Sequence, residues 1–154
     1  MNIVVFRIQD REYGINIAQV SQIIRARKIT PVPEAADFIE GVIILRGKVL
    51  PVVNLRKKLG IESKASDKKW RMIITRLESH SLAIMVDAAS DVLRIEEGTI
   101  TPPDEVLHEA KYLIGLVNLD NRLILLVDMV KLLTQEEVID AHKVSERVEV
   151  RKKA

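Results

Sequence analysis

The sequence contains no cysteine, so it forms no disulfide and offers no thiolate as a nucleophile or metal ligand. Aromatic residues make up only 3% of its 154 residues, so the core must be built from Val, Ile and Leu. The 24 basic and 22 acidic residues leave a net charge of +2, which gives no electrostatic argument for nucleic acid as a partner. These absences exclude disulfide-framed proteins and thiol-dependent enzymes, and they disfavour nucleic-acid binders.

Long apolar runs are also lacking. No stretch approaches the roughly 20 apolar residues that span a bilayer. The first ten residues, MNIVVFRIQD, lack the basic start and long apolar core of a signal peptide. We therefore expect a protein without direct membrane contact, which is compatible with a cytoplasmic location.

The strongest pattern in the sequence lies between Phe38 and Gly60. It reads FIEGVIILRGKVLPVVNLRKKLG, in which a polar break, Arg46-Gly47-Lys48, separates two runs of branched apolar residues. This pattern predicts a β-hairpin with Gly47 in its tight turn. Because Pro51 has no N–H to donate, we expect the second strand at a sheet edge or beyond a bulge. Asn54 is then predicted to cap a short helix that Gly60 ends.

The same design occurs again at residues 112–134, which read YLIGLVNLDNRLILLVDMVKLLT. At an offset of 74 residues, Gly41 corresponds to Gly115 and the cap Asn54 corresponds to Asp128. The beginning of the chain recurs at an offset of 69, so that residues 71–77 answer residues 2–8. The whole chain is therefore predicted to be a duplicated unit of short strands.

We expect one domain of residues 1–154, with two duplicated barrel subdomains at roughly 1–62 and 70–134. Exchange of strands between the subdomains is left open. About five short strands in each half predict two small β-barrels. A helical turn is expected at residues 34–39, and a polar linker at 61–69. A capping box of Thr134 and Glu137 predicts a C-terminal helix at 135–150. Barrels of this size fill with side chains, which favours a binding surface over a reactive pocket.

The sequence shows no arrangement that predicts catalysis, a metal site or a cofactor. The histidines are scattered along the chain, at His80, His108 and His142. Two acidic pairs, Glu96-Glu97 and Asp104-Glu105, lie in predicted loops, where carboxylates are usually solvated. Arg46-Gly47-Lys48 is too short to cradle a phosphate. The best basic cluster lies in the linker and lacks the exposed aromatics of a single-strand binder; it consists of Lys64, Lys68, Lys69 and Arg71.

The central stretch closely resembles the signature of the CheW family, the chemotaxis coupling proteins. The opening VVFRIQDREYGINIAQVSQII and the later YLIGLVNLDNRLILLVDMVKLL fit the same family, so the resemblance runs from about Val4 to Thr134. It implies a mainly β fold of two intertwined five-stranded SH3-like barrels with short helices and a C-terminal helix. It also implies a protein that is not an enzyme and needs no cofactor.

The resemblance further implies a scaffold that couples methyl-accepting chemoreceptors to the histidine kinase CheA in two-component signal transduction. The expected partners are the regulatory domain of CheA, which has the same fold, and the cytoplasmic tips of the receptors. The protein would be cytoplasmic and recruited to membrane receptor arrays through these partners. With no room for a kinase, phosphotransfer or receiver domain, the chain is expected to be a free-standing coupler.

Two residues carry the binding prediction. Arg46 matches the arginine of the family's Leu-Arg-Gly motif, which is linked to receptor and kinase binding. On the residues alone, a solvated turn arginine is the favoured interpretation. Many relatives have Glu where this chain has Gln22, and that Glu is thought to pair with the motif arginine. Gln22 can hydrogen-bond Arg46 but cannot neutralise its charge.

Four further positions match the family by type. Gly41, Gly47 and Gly115 match positions where bulk is poorly tolerated, for binding or for backbone geometry alone. Val20 matches an apolar position near the receptor groove and is otherwise a core residue. We expect the central hairpin to dock the CheA domain and the seam between the barrels to take the receptor tip.

Two alternatives stay open. Within the same fold, the chain could couple receptors to a non-flagellar pathway such as surface motility or development. A small-barrel nucleic-acid-binding protein is a different class, and it would show salt-dependent binding to oligonucleotides.

Overall fold

The computed structural model describes residues 1–62, 68–77, 79–103 and 111–153. The strands in these ranges are β1 (Asn2–Ile8), β2 (Arg11–Asn16), β3 (Val20–Arg25), β4 (Ile39–Leu45), β5 (Lys48–Asn54), β6 (Arg71–Leu77), β7 (His80–Val86), β8 (Ala88–Arg94), β9 (Ile100–Thr101), β10 (Leu113–Leu119) and β11 (Arg122–Val127). The α-helices are α1 (Leu55–Lys58), α2 (Met129–Leu132) and α3 (Gln135–Lys153). Four residues that the sequence singled out lie outside the described ranges: Lys64, Asp104, Glu105 and His108.

The strands form two sheets that interleave the two halves of the chain. Sheet A has the order β8-β1-β2-β11-β10-β9, and sheet B has the order β3-β6-β7-β5-β4. Sheet A therefore contains the β1–β2 hairpin of the first half, joined to strands of the second half by the parallel pairing of β2 with β11. Sheet B contains the β6–β7 hairpin of the second half, joined to strands of the first half by the parallel pairing of β7 with β5. The expected mainly β, intertwined fold is confirmed, with the two-residue strand β9 as a sixth member of sheet A.

The predicted duplication is visible in the local hydrogen bonds. Both short helices are capped as expected, because the side chains of Asn54 and Asp128 each accept a hydrogen bond at 3.0 Å from the amide two residues later. The amides of these caps donate to equivalent carbonyls 74 residues apart, those of Phe38 and Tyr112, both at 2.8 Å. Gly60 follows α1 with a φ of +72°, as a helix-ending glycine should.

The core has three parts. The largest cluster lies between the two sheets, and a smaller cluster lies on the other face of each sheet. Strand β1 shows the alternation that produces this arrangement: Val4, Phe6 and Ile8 enter the shared core, whereas Ile3 and Val5 enter the cluster of sheet A. The halves therefore share one interior, so neither half needs to be stable alone.

Truncation of a shared-core valine should reduce stability. Val53 and Val127 are 1% and 2% exposed, so Val53→Ala and Val127→Ala should each lower the unfolding free energy by about 1–3 kcal/mol. Urea unfolding followed by circular dichroism measures this loss. Val92, 58% exposed on β8, provides the matched control, and its replacement by Ala should change stability by less than about 0.5 kcal/mol. Equal effects at buried and exposed sites would contradict the assignment of the core.

The expected edge position for the strand containing Pro51 is wrong, because β5 lies between β4 and β7. Pro51 stands opposite Val42, whose N–H and C=O both bond Thr30 instead, at 2.9 Å each. The backbone groups of this pair therefore point away from each other. The pairing of β5 with β7 begins only at Val52. The missing N–H of proline thus interrupts no ladder, which is why an interior strand accepts it.

Two other expectations need correction. The segment at 34–39 forms turns and not a helical turn, and Ile39 already belongs to β4. Helix α3 is longer than the predicted 135–150 and runs to Lys153, so residues 151–153 are helical rather than frayed. Its capping box is confirmed, with Glu137 N donating to Thr134 Oγ1 at 3.1 Å and Thr134 N to Glu137 Oε1 at 3.0 Å. Among the described residues, no helix combines the length and apolarity that a bilayer crossing requires.

Candidate protein-binding site

The turn between β4 and β5 presents Arg46 at the tip of the central hairpin. Arg46 and Gly47 have φ values of +52° and +80°, and both residues are exposed. Two successive positive φ angles match the twist of the flanking strands, as the sequence predicted for Gly47. For an arginine this backbone conformation is unfavourable by about 1–2 kcal/mol. The hairpin therefore holds a long cationic side chain in solvent at a position where glycine or asparagine would fit better.

Arg46 lies beside Gln22 on β3. Its Nη2 donates to Gln22 Oε1 at 3.4 Å, a long hydrogen bond between exposed groups. Gln22 carries no charge, and within the described ranges no carboxylate lies within ion-pair distance of Arg46. The guanidinium thus keeps its charge and most of its donors for another molecule.

Two exposed aliphatic side chains lie on the strands that the Arg46–Gln22 contact joins, Ile44 on β4 and Ile23 on β3. Ile44 is 50% exposed and Ile23 is 38% exposed. Arg27, which follows β3, links that strand to β4, because its Nη1 donates to the carbonyl of Ile44 at 3.1 Å. We call this group the hairpin surface and define it as Gln22, Ile23, Arg27, Ile44 and Arg46. Ile23, Arg27 and Ile44 were not predicted from the sequence, because its apolar runs do not indicate which face of each strand is covered.

Three of the predicted site residues lie away from the hairpin surface. Gly41 and Gly115 are buried within their strands. A Cβ on Gly41 would lie 2.1 Å from Thr30 O, and one on Gly115 would lie 2.7 Å from Thr101 O. Val20 is half-buried and packs against the shared core. The structure therefore brings together Arg46, Gly47 and Gln22. The two buried glycines instead allow the backbone of a neighbouring segment to lie close to their strands.

Sheet A carries a charged counterpart of the Arg46–Gln22 contact. The residue equivalent to Gln22 is Asp91, which binds Arg122 Nη2 at 3.2 Å. Arg122 also forms a bidentate ion pair with Glu12: Nη2 donates to Oε1 at 2.8 Å and Nε donates to Oε2 at 3.1 Å. These hydrogen bonds hold the pKa of the Glu12 carboxyl below its ordinary value of 4.5, against the opposing effect of burial. In sheet A the arginine is thus neutralised by carboxylates, whereas in sheet B the charge of Arg46 has no described carboxylate beside it.

The Glu12–Arg122 pair should make stability depend on acid. Because the folded-state pKa of Glu12 is lowered, its contribution is present above about pH 4.5 and is lost as the pH falls through the folded value. Glu12→Gln should therefore give a shallower loss of unfolding free energy between pH 5 and pH 3, measured by urea unfolding at each pH. Glu97, an exposed acid, is the control, and Glu97→Gln should keep the wild-type slope. A wild-type slope in Glu12→Gln would refute the effect.

Two histidines that appeared scattered in sequence meet in the fold. The rings of His80 on β7 and His142 on α3 lie 4.4 Å apart between centroids, and His142 Nε2 lies 3.0 Å from Glu146 Oε1. No cluster of three or more His, Cys, Asp or Glu residues suited to a metal ion occurs in the part of the chain that the structure describes. Glu96 and Glu97 are exposed.

Comparisons with known proteins agree with this geometry. The family model described as a CheW-like domain matches residues 2–137. Chemotaxis protein CheW of Klebsiella aerogenes is 35% identical over 136 residues, which cover 87% of this chain and 82% of that protein. Chemotaxis protein CheW of Thermotoga maritima is 35% identical over 130 residues, which cover 84% of this chain and 85% of the relative.

A solved structure is also similar. The crystal structure of the scaffolding protein TtCheW from Thermoanaerobacter tengcongensis matches with a TM-score of 0.79 and 33% identity. The match covers 88% of this chain and 89% of that one. Protein FrzA of Myxococcus xanthus is 31% identical over 98 residues, which cover 64% of this chain and 61% of that protein.

Proposed function

This chain belongs to the CheW family, and from that premise we propose where its two partners bind. The protein is a chemotaxis adaptor that couples chemoreceptors to the histidine kinase CheA. The family is one of scaffolds, so its members act by binding and positioning other proteins. The resemblance that the central hairpin indicated is confirmed for both fold and function.

The hairpin surface is proposed as the docking site for the regulatory domain of CheA. The observation that carries this proposal is the state of Arg46, an exposed arginine whose closest described partner is a neutral amide at 3.4 Å. Such a guanidinium can bind a carboxylate of a partner through two hydrogen bonds. Ile44, two residues before Arg46 on β4, and Ile23, next to Gln22 on β3, supply exposed apolar area, which the core of a protein interface requires.

The receptor tip is proposed to bind near the seam between the two sheets. Val20 supports this assignment, because it is half-buried at the border of the shared core, where an added helix could cover it. A receptor helix at the seam and a kinase domain at the hairpin would be held at a fixed distance by one rigid body. The function is then positional, since the adaptor sets the geometry of the kinase relative to the receptor helices.

Arg46→Ala tests the kinase site. The change should weaken binding by about 1–3 kcal/mol and leave the fold intact, because it removes an exposed charged donor from an interface. Titration calorimetry against the regulatory domain of the host's CheA measures the affinity, which we expect to be micromolar or tighter for the unchanged protein. Arg94→Ala, an exposed arginine on β8, is the control and should bind as the wild type does. Unchanged binding by a folded Arg46→Ala protein would refute the assignment of the site.

A coupler of a non-flagellar receptor pathway is the alternative within this family. The match to FrzA covers a smaller share of the chain than the matches to CheW proteins. Expression in a host that lacks its own flagellar coupler separates the two functions. Restored spreading in soft agar supports the chemotaxis adaptor, and stable expression without restoration supports the alternative. A fluorescent fusion in the same host tests the proposed recruitment from the cytoplasm to receptor arrays.

A further inference from the structure

Five basic residues gather where β3 ends and β6 begins. We call this group the basic corner and define it as Arg25, Arg27, Lys28, Lys68 and Arg71. Backbone pairing holds the two strand ends together, with Ala26 N donating to Trp70 O at 3.2 Å. Arg71 Nη1 donates to the carbonyl of Lys68 at 2.9 Å, which brings the preceding turn to the same place. Arg71 is half-buried, and the other four residues are exposed.

Two members of the basic corner face each other directly. Arg25 on β3 is the register partner of Arg71 on β6, so their side chains leave the same face of the sheet. Like charges in directly opposite positions destabilise a sheet. Among the described residues, no carboxylate forms an ion pair with any of the five. Arg71 Nη1 meets only the carbonyls of Lys68 and Trp70, so no described carboxylate offsets the repulsion expected between the two arginines.

The fold does not require this charge, as the equivalent corner of sheet A shows. There Arg94 on β8 is the register partner of Asn2 on β1, so no two like charges meet. The positions equivalent to Arg27 and Lys28 are occupied by Glu96 and Glu97, both exposed. The same backbone arrangement thus exists with a mixed charge in one half and a purely basic charge in the other.

The basic corner is continuous with the hairpin surface. Arg27 belongs to both, because its guanidinium reaches the carbonyl of Ile44 at 3.1 Å. Ile23 and Arg25 are both exposed members of β3 and lie two residues apart, so they share a face of the strand. A molecule docked on Ile23, Ile44 and Arg46 would therefore extend along β3 into the basic corner.

We propose that the basic corner binds an acidic segment of the protein partner that docks on the hairpin surface. This inference rests on the proposed function and names the chemistry of its partner: carboxylates that follow an apolar contact along β3. A protein segment is favoured over a nucleic acid because the aromatic side chain nearest the corner, that of Trp70, is 4% exposed and offers no stacking face. Carboxylates between Arg25 and Arg71 would relieve the repulsion that the free protein carries.

Charge reversal at one position tests the proposal. In titrations with the regulatory domain of CheA at 50 mM salt, Arg25→Glu should weaken binding by at least about tenfold and should flatten the salt dependence of the affinity. Arg94→Glu, the same change at the equivalent position of sheet A, should leave both quantities unchanged. If Arg46→Ala weakens binding but Arg25→Glu does not, the acidic segment is refuted while the proposed function stands.

A second probe works without the kinase. A synthetic peptide of ten Glu residues should bind the wild-type protein at 50 mM salt and should lose most of this binding in Arg25→Glu but not in Arg94→Glu. Peptide binding with this pattern supports the basic corner even if CheA proves to be the wrong partner. Equal peptide binding by all three proteins overturns the proposal, as does tighter capture of a single-stranded oligonucleotide or of anionic lipid vesicles than of the peptide.

The repulsion itself can be measured. The side chain of Arg25 makes no hydrogen bond or ion pair with the described residues, so Arg25→Gln removes one of the two facing charges and little else. Its urea unfolding midpoint should rise relative to wild type while its affinity for the acidic peptide falls. A lower midpoint would show that Arg25 stabilises the sheet, and it would remove the argument that the charge is kept for a partner.

Discussion

Arg56→Ala is expected to destabilise the protein by about 3–5 kcal/mol, measured by urea unfolding, because it removes the buried guanidinium of an ion pair whose carboxylate, that of Asp87, is only 16% exposed. Arg56 on α1 is only 4% exposed. Its Nε donates to Asp87 Oδ1 at 2.7 Å, its Nη2 pairs with Asp87 Oδ2, and its Nη1 donates to the carbonyl of Glu62 at 2.7 Å. Asp87 raises the pKa of Arg56 further above its ordinary range, so the guanidinium stays charged.

The neighbouring residue is a matched control. Lys57 also lies on α1 and pairs with Glu40 at 3.0 Å, but both side chains are more than a quarter exposed. Lys57→Ala should therefore cost only about 0.2–1 kcal/mol. The double replacement of Arg56 and Asp87 by apolar residues should recover part of the loss, because it removes both charges of this largely buried pair. Equal losses for Arg56→Ala and Lys57→Ala would mean that the buried pair contributes no more than a surface pair.

The Arg56–Asp87 pair also joins the halves of the chain. Asp87 Oδ2 accepts a second hydrogen bond, from Gln9 N at 2.9 Å, and its own amide donates to Arg7 O at 3.0 Å. One carboxylate thus connects the turn of the first hairpin, the junction of β7 with β8 and the short helix α1. The sequence could not indicate this pair, because Arg56 stands in a Leu-Arg-Lys-Lys run that is typical of a solvated helix end and its partner is 31 residues away.

What the sequence did predict depends on short-range signals. The caps Asn54 and Asp128 and the hairpin turn at Gly47 were predicted because each is defined within about four residues. The edge position expected for the strand of Pro51 was wrong, because the neighbours of a strand are set by distant pairing, here with β7. The division into subdomains at 1–62 and 70–134 stays a prediction. The interleaved pairings make the two sheets, rather than the two sequence halves, the units that share hydrogen bonds.

The candidate site was predicted to a similar extent. The resemblance indicated that Gln22 stands where many relatives have a Glu thought to pair with the motif arginine, and the structure has an Arg46–Gln22 hydrogen bond at 3.4 Å. Their role in binding stays a prediction. Ile23 and Ile44 were missed, because exposure on one face of a strand depends on how sheet B curves to bring β3 beside β4. Of the basic corner, the predicted basic cluster contained only Lys68 and Arg71, because nothing in the sequence showed that the end of β3 lies beside them. The duplication offers a signal that could have found the corner. At equivalent positions of the two halves, Arg27 and Lys28 are basic whereas Glu96 and Glu97 are acidic, so the fold itself does not require the basic charge.

Gly41→Ala is the second large effect, and we expect a loss of about 3–5 kcal/mol in unfolding free energy. The φ of Gly41 is +144°, a conformation that residues with a side chain rarely adopt. The added Cβ would lie 2.1 Å from Thr30 O and 2.9 Å from the Cα of Pro31. Both obstacles are backbone atoms, and Thr30 is bonded to Val42 on both its N–H and its C=O, so the clash cannot be relieved by a rotamer change. Urea unfolding measures the loss.

Gly47→Ala separates backbone strain from steric conflict. Gly47 also has a positive φ, +80°, but a Cβ there would meet no atom within 4 Å. Its replacement should therefore cost only about 1–2 kcal/mol, from the left-handed conformation alone. Binding distinguishes the two variants further. Folded Gly47→Ala should perturb the Arg46 turn and weaken the affinity for the kinase domain. Gly41→Ala, measured at low temperature, should bind as the wild type does once the affinity is corrected for its unfolded fraction. If Gly41→Ala were as stable as Gly47→Ala, the close approach of Thr30 to β4 would be refuted, and the sensitivity of this family position to bulk would need an explanation at the binding surface instead.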